Sequence, residues 1–303
     1  MLLKARTESD ELLAMRSLNT RMQLTEKEKN HYLNLEKGYE GEVHFDSMAA
    51  ESLQEERYIM NDLLLKMNNS YFQIDTLIIS QGVIHLLDIK NFQGDCYLES
   101  DKLFSKKTNR EYKNPVDQIK RSGILFSQLL QSLKYNYLVE SFVIYINPEF
   151  TLYQAPMEQP FILPTQVNRF LTDMNNTPSK LNDGHKKLAQ QLLSLHQTKN
   201  PFTTLPEYNY ETVQKGIYCR ECKSFQITKR MNDFVCGKCG AHEKIDLAII
   251  RSVEEFKRLF PERKITTPNI YDWCRADINK KTISRALKKN YTLVGNTKAI
   301  FYQ

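Results

Sequence analysis

No stretch of the chain approaches the ~18 consecutive uncharged apolar residues that a membrane-spanning helix needs, so no segment reads as a span and no membrane partner is expected. The first residues, MLLKARTESDELLAMRS, carry charges where a secretory signal needs its apolar run, and a cytoplasmic protein is expected. Internal repeats and low-complexity tracts are missing, which excludes solenoids and long biased linkers. Cysteine is scarce and clustered: of six, four fall into two CxxC pairs, while Cys96 and Cys274 stand alone as ordinary thiols. Without an export signal, this pattern argues against a disulfide framework and for metal binding.

What the chain does contain is ordinary for a globular protein of more than one domain: 303 residues, 41% hydrophobic and 26% charged. Its charge is unevenly placed. Residues 247 to 303 hold 12 Lys/Arg against 5 Asp/Glu, a surplus larger than the net +6 of the whole chain. That asymmetry predicts a polyanionic partner for the C-terminal end.

The densest signal lies between Tyr71 and Gly94, YFQIDTLIISQGVIHLLDIKNFQG. Two apolar runs flank Ser80-Gln81-Gly82, the pattern of two strands around a tight turn. Asp75 interrupts the first run, and Asp88-Ile89-Lys90 ends the second. Residues two apart on a strand share a face, so Asp88 and Lys90 point the same way, with His85 on the opposite face as a satisfied sheet residue. Acids and an amine on apolar strands are costly to bury unless they pair or bind a cation. Two carboxylates beside an ammonium can hold a divalent metal for phosphodiester cleavage.

Around these strands the sequence predicts an α/β layer. Residues 1–36 read as a helical extension, and a helical pattern opening at Gly38 continues toward Leu53, Ile59 and Leu63-Leu64-Leu65. A polar loop follows the two strands through Lys113. Asn114-Pro115 starts an amphipathic helix carrying Ile119, Leu125 and Leu129, and Phe142 to Ile146 forms a buried strand. The expected domains are 37–150 as the α/β core, 151–206 as a helical annex and linker, 207–246 with the cysteine pairs, and 247–303 as a basic tail.

Gly38-x-x-Gly41-Glu42, Asp75, Asp88-x-Lys90 and Asn114-Pro115-x-x-Gln118 occur in this order. The set resembles the NERD (nuclease-related domain) family, a branch of the restriction-endonuclease-like superfamily, over about residues 37 to 150. The resemblance implies an α/β/α core and a nuclease site built from Glu42, Asp75, Asp88, Lys90 and Gln118. Asp75 and Asp88 would hold Mg²⁺ or Mn²⁺, Glu42 would complete the metal's ligands or water shell, Lys90 would orient the attacking water, and Gln118 would position water or a phosphate oxygen. The acid of the x-Lys motif is often Glu in this family; here it is Asp88.

Cys219-x-x-Cys222, thirteen residues, then Cys236-x-x-Cys239 has the spacing of a zinc ribbon, four thiolates closing a tetrahedral structural Zn²⁺ site. Redox-active CxxC pairs or an iron–sulfur cluster are the alternatives, and His242 lies near enough to compete as a ligand. Gly237 and Gly240 are expected to permit the turns. In the tail, helices are expected at Ser252–Phe260, after a threonine cap at 265–274, and at Asn279–Lys289, followed by a hairpin of 291–296 with 299–302. The arrangement resembles a winged helix-turn-helix, with Lys280, Lys281, Ser284, Arg285 and Lys288 facing DNA. The expected function is a metal-dependent nuclease acting on DNA. The alternatives are a DNA-binding or regulatory protein with a vestigial nuclease fold and an interaction scaffold for RNA. A homo-oligomer is left open, because one active site cutting a duplex needs a dimer or sequential nicks.

Overall fold

The computed structural model describes residues 1–295 and 300–303. In chain order the elements are β1 (Leu2–Lys4), α1 (Asp10–Arg21), α2 (Glu26–Ser52), β2 (Tyr58–Met67), β3 (Ser70–Ile79), β4 (Val83–Lys90), β5 (Gly94–Glu99), β6 (Lys102–Ser105), β7 (Glu111–Tyr112) and α3 (Pro115–Ser132). Next come β8 (Leu138–Tyr145), β9 (Phe150–Tyr153), β10 (Phe161–Ile162), α4 (Val167–Asn176) and α5 (Asp183–Leu195). The remainder is β11 (Ile227–Arg230), β12 (Asp233–Cys236), β13 (His242–Lys244), α6 (Ile245–Leu259), α7 (Thr267–Cys274), α8 (Lys280–Asn290), β14 (Leu293–Val294) and β15 (Phe301–Tyr302). Among the described residues no helix is long and apolar enough to cross a membrane.

The chain divides into two compact units: Met1–Glu8 with Leu33–Thr203, and Ser9–Tyr32 with Thr204–Gln303. The first is a mixed α/β body. Its six-stranded sheet runs in the order β1-β2-β3-β4-β8-β10, and a smaller sheet runs β7-β6-β5-β9. Strands β2, β3 and β4 form an antiparallel meander, whereas β4 and β8 are parallel, joined through α3. Alternation sorts the β3 and β4 side chains onto two faces. Leu77, Ile79, Ile84 and Leu86 pack with Ile119 and Phe126 of α3 and Leu188 of α5. Ile78, Leu87 and Ile89 pack with Phe45 of α2 and with Val167 and Leu171 of α4. These are the helix–sheet–helix layers that the α/β expectation required.

Several expectations from the sequence need correction. Leu2–Lys4 is not helical; it adds strand β1, parallel to β2, at the sheet edge. The helical pattern expected to open at Gly38 begins at Glu26, and it stops at Ser52. Residues 58–67 form a strand in which Tyr58, Met60, Leu63 and Leu65 all enter the core, with Asp62 at positive φ where the alternation shifts; a short apolar run alone does not distinguish this from a helix. The loop expected before Lys113 is the small sheet β5–β7, whose Cys96 and Leu103 enter the core. Asn114 does cap α3, its side chain accepting the Val116 N–H at 3.0 Å.

The second unit packs α1 against α6, and α6, α7 and α8 against one another, around Trp273, Phe256, Ile283 and Leu287. Helix α6 starts at Ile245, seven residues before the expected Ser252, because Ala248 and Ile249 continue its apolar face. Thr266 caps α7 with Pro268 in the first turn, and Asn279 caps α8. β14 and β15 pair antiparallel, and Tyr302 also bridges Ile265. Asn296 and Ala299 of the expected hairpin lie outside the described residues. Arg21 is buried in this unit. Its Nε donates to Glu255 at 2.9 Å, its Nη1 donates to the Gly216 carbonyl at 3.1 Å, and its guanidinium lies 4.0 Å from the Trp273 ring centroid.

Candidate functional site

In the first unit, Glu42, Asp75, Lys90 and Gln118 line one cleft of about 560 Å³, with Asp88 buried beneath it. The β3–β4 ladder ends at Thr76–Leu87. One step further, Asp75 substitutes its side chain for the ladder, and its Oδ2 accepts the Ile89 N–H at 2.8 Å. Asp88 shares a face with Leu86, on the α3 side of the sheet, and Asp75 lies close enough for its charge to act on the Asp88 carboxyl. Lys90, two residues on, donates to Asp88 Oδ1 at 2.9 Å and lies 2.8 Å from Oδ2. From the first turns of α3, Gln118 Nε2 donates to the same Oδ1 at 3.1 Å.

Glu42 reaches the cleft because α2 runs close against the end of β4. A Cβ on Gly41 would fall 2.5 Å from Asn91 Cβ and 3.1 Å from Ile146, so only glycine permits this approach. Gly38 has no such neighbour. The five residues singled out in the sequence therefore meet in one place.

Their environment sets their charge. Burial raises the Asp88 carboxyl above its ordinary range and Asp75 pushes it the same way, while Lys90 pulls it back. Burial also raises Glu42, helped by Asp75 and opposed by Arg6. Burial works against the Lys90 ammonium, but Asp88, Asp75 and Glu42 outweigh it and hold its pKa above the usual lysine value.

Sequence reasoning missed Arg6, Asp46 and Asp62. The Arg6 side chain, 3% exposed, pairs with Asp46 (Nε to Oδ2, 2.8 Å), Glu42 (2.8 Å) and Asp62 (2.6 Å). Its Nη2 also donates to the Asp75 carbonyl at 2.9 Å and to Thr76 Oγ1 at 3.0 Å. Asp62 had a signal: like Asp75, it interrupts an apolar strand. Arg6 had none, since its partners are at least 36 residues away.

In the second unit, the Sγ atoms of Cys219, Cys222, Cys236 and Cys239 all lie within 4.8 Å of one another. Among the described residues this is the one group of three or more His, Cys, Asp or Glu placed to hold a metal ion. The two knuckles are built alike. Cys219 N–H donates to the Ser224 carbonyl at 2.8 Å, and Cys236 N–H to that of Ala241 at 2.9 Å. Lys223 and Gly240, each following the second cysteine of its pair, both adopt positive φ. Gly237 takes no positive φ, and its N–H donates to the Gln226 carbonyl at 2.7 Å. The Lys238 N–H reaches Cys236 Sγ at 3.4 Å. His242 is exposed, with Nδ1 3.8 Å from Asp233. Four gathered thiols with backbone N–H support can hold a zinc ion.

Residues 37–146 match the family model of the nuclease-related domain, NERD. No curated protein and no solved structure matches the chain. The NERD match spans Gly41, Glu42, Asp75, Asp88, Lys90 and Gln118, and leaves Arg6 outside. It stops short of the cysteine knuckles and α8. On α8, Lys280, Lys281, Arg285 and Lys288 are exposed and Ser284 is half-buried, while Ile283 and Leu287 face the core.

Proposed function

We propose that the protein is a metal-dependent nuclease that hydrolyses DNA phosphodiester bonds in the NERD cleft. The observation that carries this reading is Asp88 held between Lys90 and Gln118, with Asp75 and Glu42 lining the same cleft. The donor set suits a hard divalent cation. Glu42, Asp46, Asp62, Asp75 and Asp88 are compensated by Arg6 and Lys90, with Lys4 acting on Asp62, and the buried Asp88 Oδ2 has Lys90 Nζ at 2.8 Å as its partner. Mg²⁺ or Mn²⁺ keeps several waters and needs only one or two carboxylates, so Asp75 and Asp88 would hold it and Glu42 would meet its water shell. A bound cation would supply Lewis-acid neutralisation of phosphate charge.

The chain's own residues do the rest. Gln118 fixes the orientation of Asp88. Lys90, kept charged by its acidic neighbours, orients the attacking water and stabilises charge on the pentacovalent phosphate. Arg6 fixes Glu42 and the middle of β3, where Asp75 stands.

The four cysteines take Zn²⁺ as a closed structural site with no position left for substrate. Helices α6–α8 with β14, β15 and the Ile265–Tyr302 bridge support a winged-helix reading for residues 247–303, in which Lys280, Lys281, Ser284, Arg285 and Lys288 contact DNA. The boundaries 37–150 for the nuclease domain and 207–246 for the ribbon belong to the same proposal. Plasmid and labelled duplex should be cut with Mg²⁺ or Mn²⁺ by the wild type and left intact by Asp88→Ala and Lys90→Ala. Equal cutting by these variants overturns the site. Duplex binding without cleavage by the wild type under either metal would favour the non-catalytic reading.

A further inference from the structure

The small sheet carries a feature that the five-residue site does not use. Between β6 and β7 the chain makes a tight turn in which Ser105 N–H donates to the Arg110 carbonyl at 2.9 Å, and Asn109 N–H donates to the Ser105 carbonyl at 2.8 Å with Asn109 at positive φ. Lys106 N–H also donates to the Asp95 carbonyl at 2.9 Å, tying the turn to β5. This built turn is basic. Lys106, Lys107, Arg110 and Lys113 are all exposed. The single acid of the segment, Glu111, pairs with Lys102 at 3.1 Å. Lys106 lies 3.9 Å from Asp95 at the ion-pair limit and 4.5 Å from the Tyr153 ring centroid.

Its position gives the charge a purpose. Arg110 and Tyr112 line the same cleft as Lys90 and Gln118. Tyr112 is anchored below by Phe92, ring centroids 5.5 Å apart. The exposed cations of this hydrogen-bonded hairpin stay out of the ion pairs of the cleft, whose carboxylates pair with Arg6 and Lys90. They are well placed for a polyanion whose reacting group must enter the cleft while its neighbouring charges stay outside.

We infer that the β6–β7 hairpin is a phosphate-backbone clamp, with Lys107 and Arg110 gripping the phosphates that flank the one in the cleft. This inference rests on the nuclease reading for its substrate, DNA, but its test needs no cleavage. Duplex binding by full-length Asp88→Ala protein would be followed by fluorescence anisotropy without divalent metal across a salt series. Each lost phosphate contact lowers the magnitude of the slope of log K against log salt by about 0.9. Lys107→Gln/Arg110→Gln should reduce it by about 2, and Lys107→Arg with native Arg110 should leave it unchanged. Lys186→Gln/Lys187→Gln removes the same charge from exposed positions of α5 outside the cleft lining and should leave the slope near its starting value. Equal effects from the two double variants would reduce the hairpin to a share of net charge and overturn the clamp, as would an unchanged slope in Lys107→Gln/Arg110→Gln. A larger hairpin effect on RNA than on duplex DNA would overturn the assignment to DNA. A protein that shows the expected slopes but never cuts would defeat the catalytic reading and leave the clamp standing.

Discussion

Each unit buries one arginine from the first 21 residues, and the two are used differently. Arg21 meets one carboxylate, Glu255, and fills its remaining donors with backbone carbonyls while Trp273 covers its plane. Arg6 meets three carboxylates, and Asp75 and Asp88 stand close by with Lys90 as the cation paired to Asp88. The first arrangement is balanced and closes a core. The second leaves negative charge over, which raises the carboxyls of Glu42, Asp62 and Asp88 with burial as the leading cause. Surplus buried charge opposes folding, and this is the feature on which the proposed nuclease reading rests.

The largest effect should come from the element in the second unit that has little core of its own. Stripping metal with a chelator, or replacing Cys236 and Cys239 together by serine, should abolish hydrogen-exchange protection in β11–β13 with loss of one zinc per chain measured by atomic absorption. Persistent protection in metal-free protein would show that the ribbon folds without the ion.

The contrast between the units sharpens with paired truncations. Glu255→Ala leaves Arg21 buried without its carboxylate and should cost about 3–5 kcal/mol in denaturant unfolding. Asp88→Ala removes an acid from a crowd and should leave stability level or raised, while DNA cleavage falls on the order of a thousand-fold, the several kcal/mol that charge neutralisation at phosphate supplies. Comparable destabilisation by both would erase the distinction between balanced and surplus charge. Gly41→Ala should cost about 1–3 kcal/mol through overpacking against Asn91, and cleavage should suffer with it because Glu42 moves.

Arg6→Ala provides a test through pH. A carboxyl whose folded pKa lies above its unfolded value destabilises the fold as pH rises through that range, because the unfolded chain ionises more easily. Glu42 and Asp62 are already raised, and losing the guanidinium raises them further. The stability deficit of Arg6→Ala should therefore be smallest near pH 5 and widen toward pH 9, read as the shift in unfolding midpoint against wild type. A deficit independent of pH would assign Arg6 a packing role only.

Much of the site was legible in one dimension because strand periodicity and apolar context are local. An acid such as Asp75 in a run of isoleucine and leucine is conspicuous, and the i, i+2 relation of Asp88 and Lys90 fixes their common face. The cysteine spacing was equally direct. What escaped was anything whose meaning depends on a distant partner. The run 58–67 became a strand because β1 and β3 flank it in the sheet. The stretch before Lys113 became a sheet through pairing with Phe150–Tyr153, about fifty residues on. Gly237 and Gly240 read identically in sequence, yet only Gly240 takes the left-handed conformation.

The sequence by itself determined which residue types could do chemistry here and in what order: carboxylates and a lysine on apolar strands, four thiols in two short pairs, and a basic final helix. Tertiary structure alone decided that Arg6 would neutralise part of the acidic cluster, that the β6–β7 turn would stand at the cleft, and that Arg21 would be sealed beneath Trp273. The reason is physical. Side-chain periodicity follows from backbone geometry within a few residues, whereas charge compensation depends on which segments the packed core brings within a few ångströms.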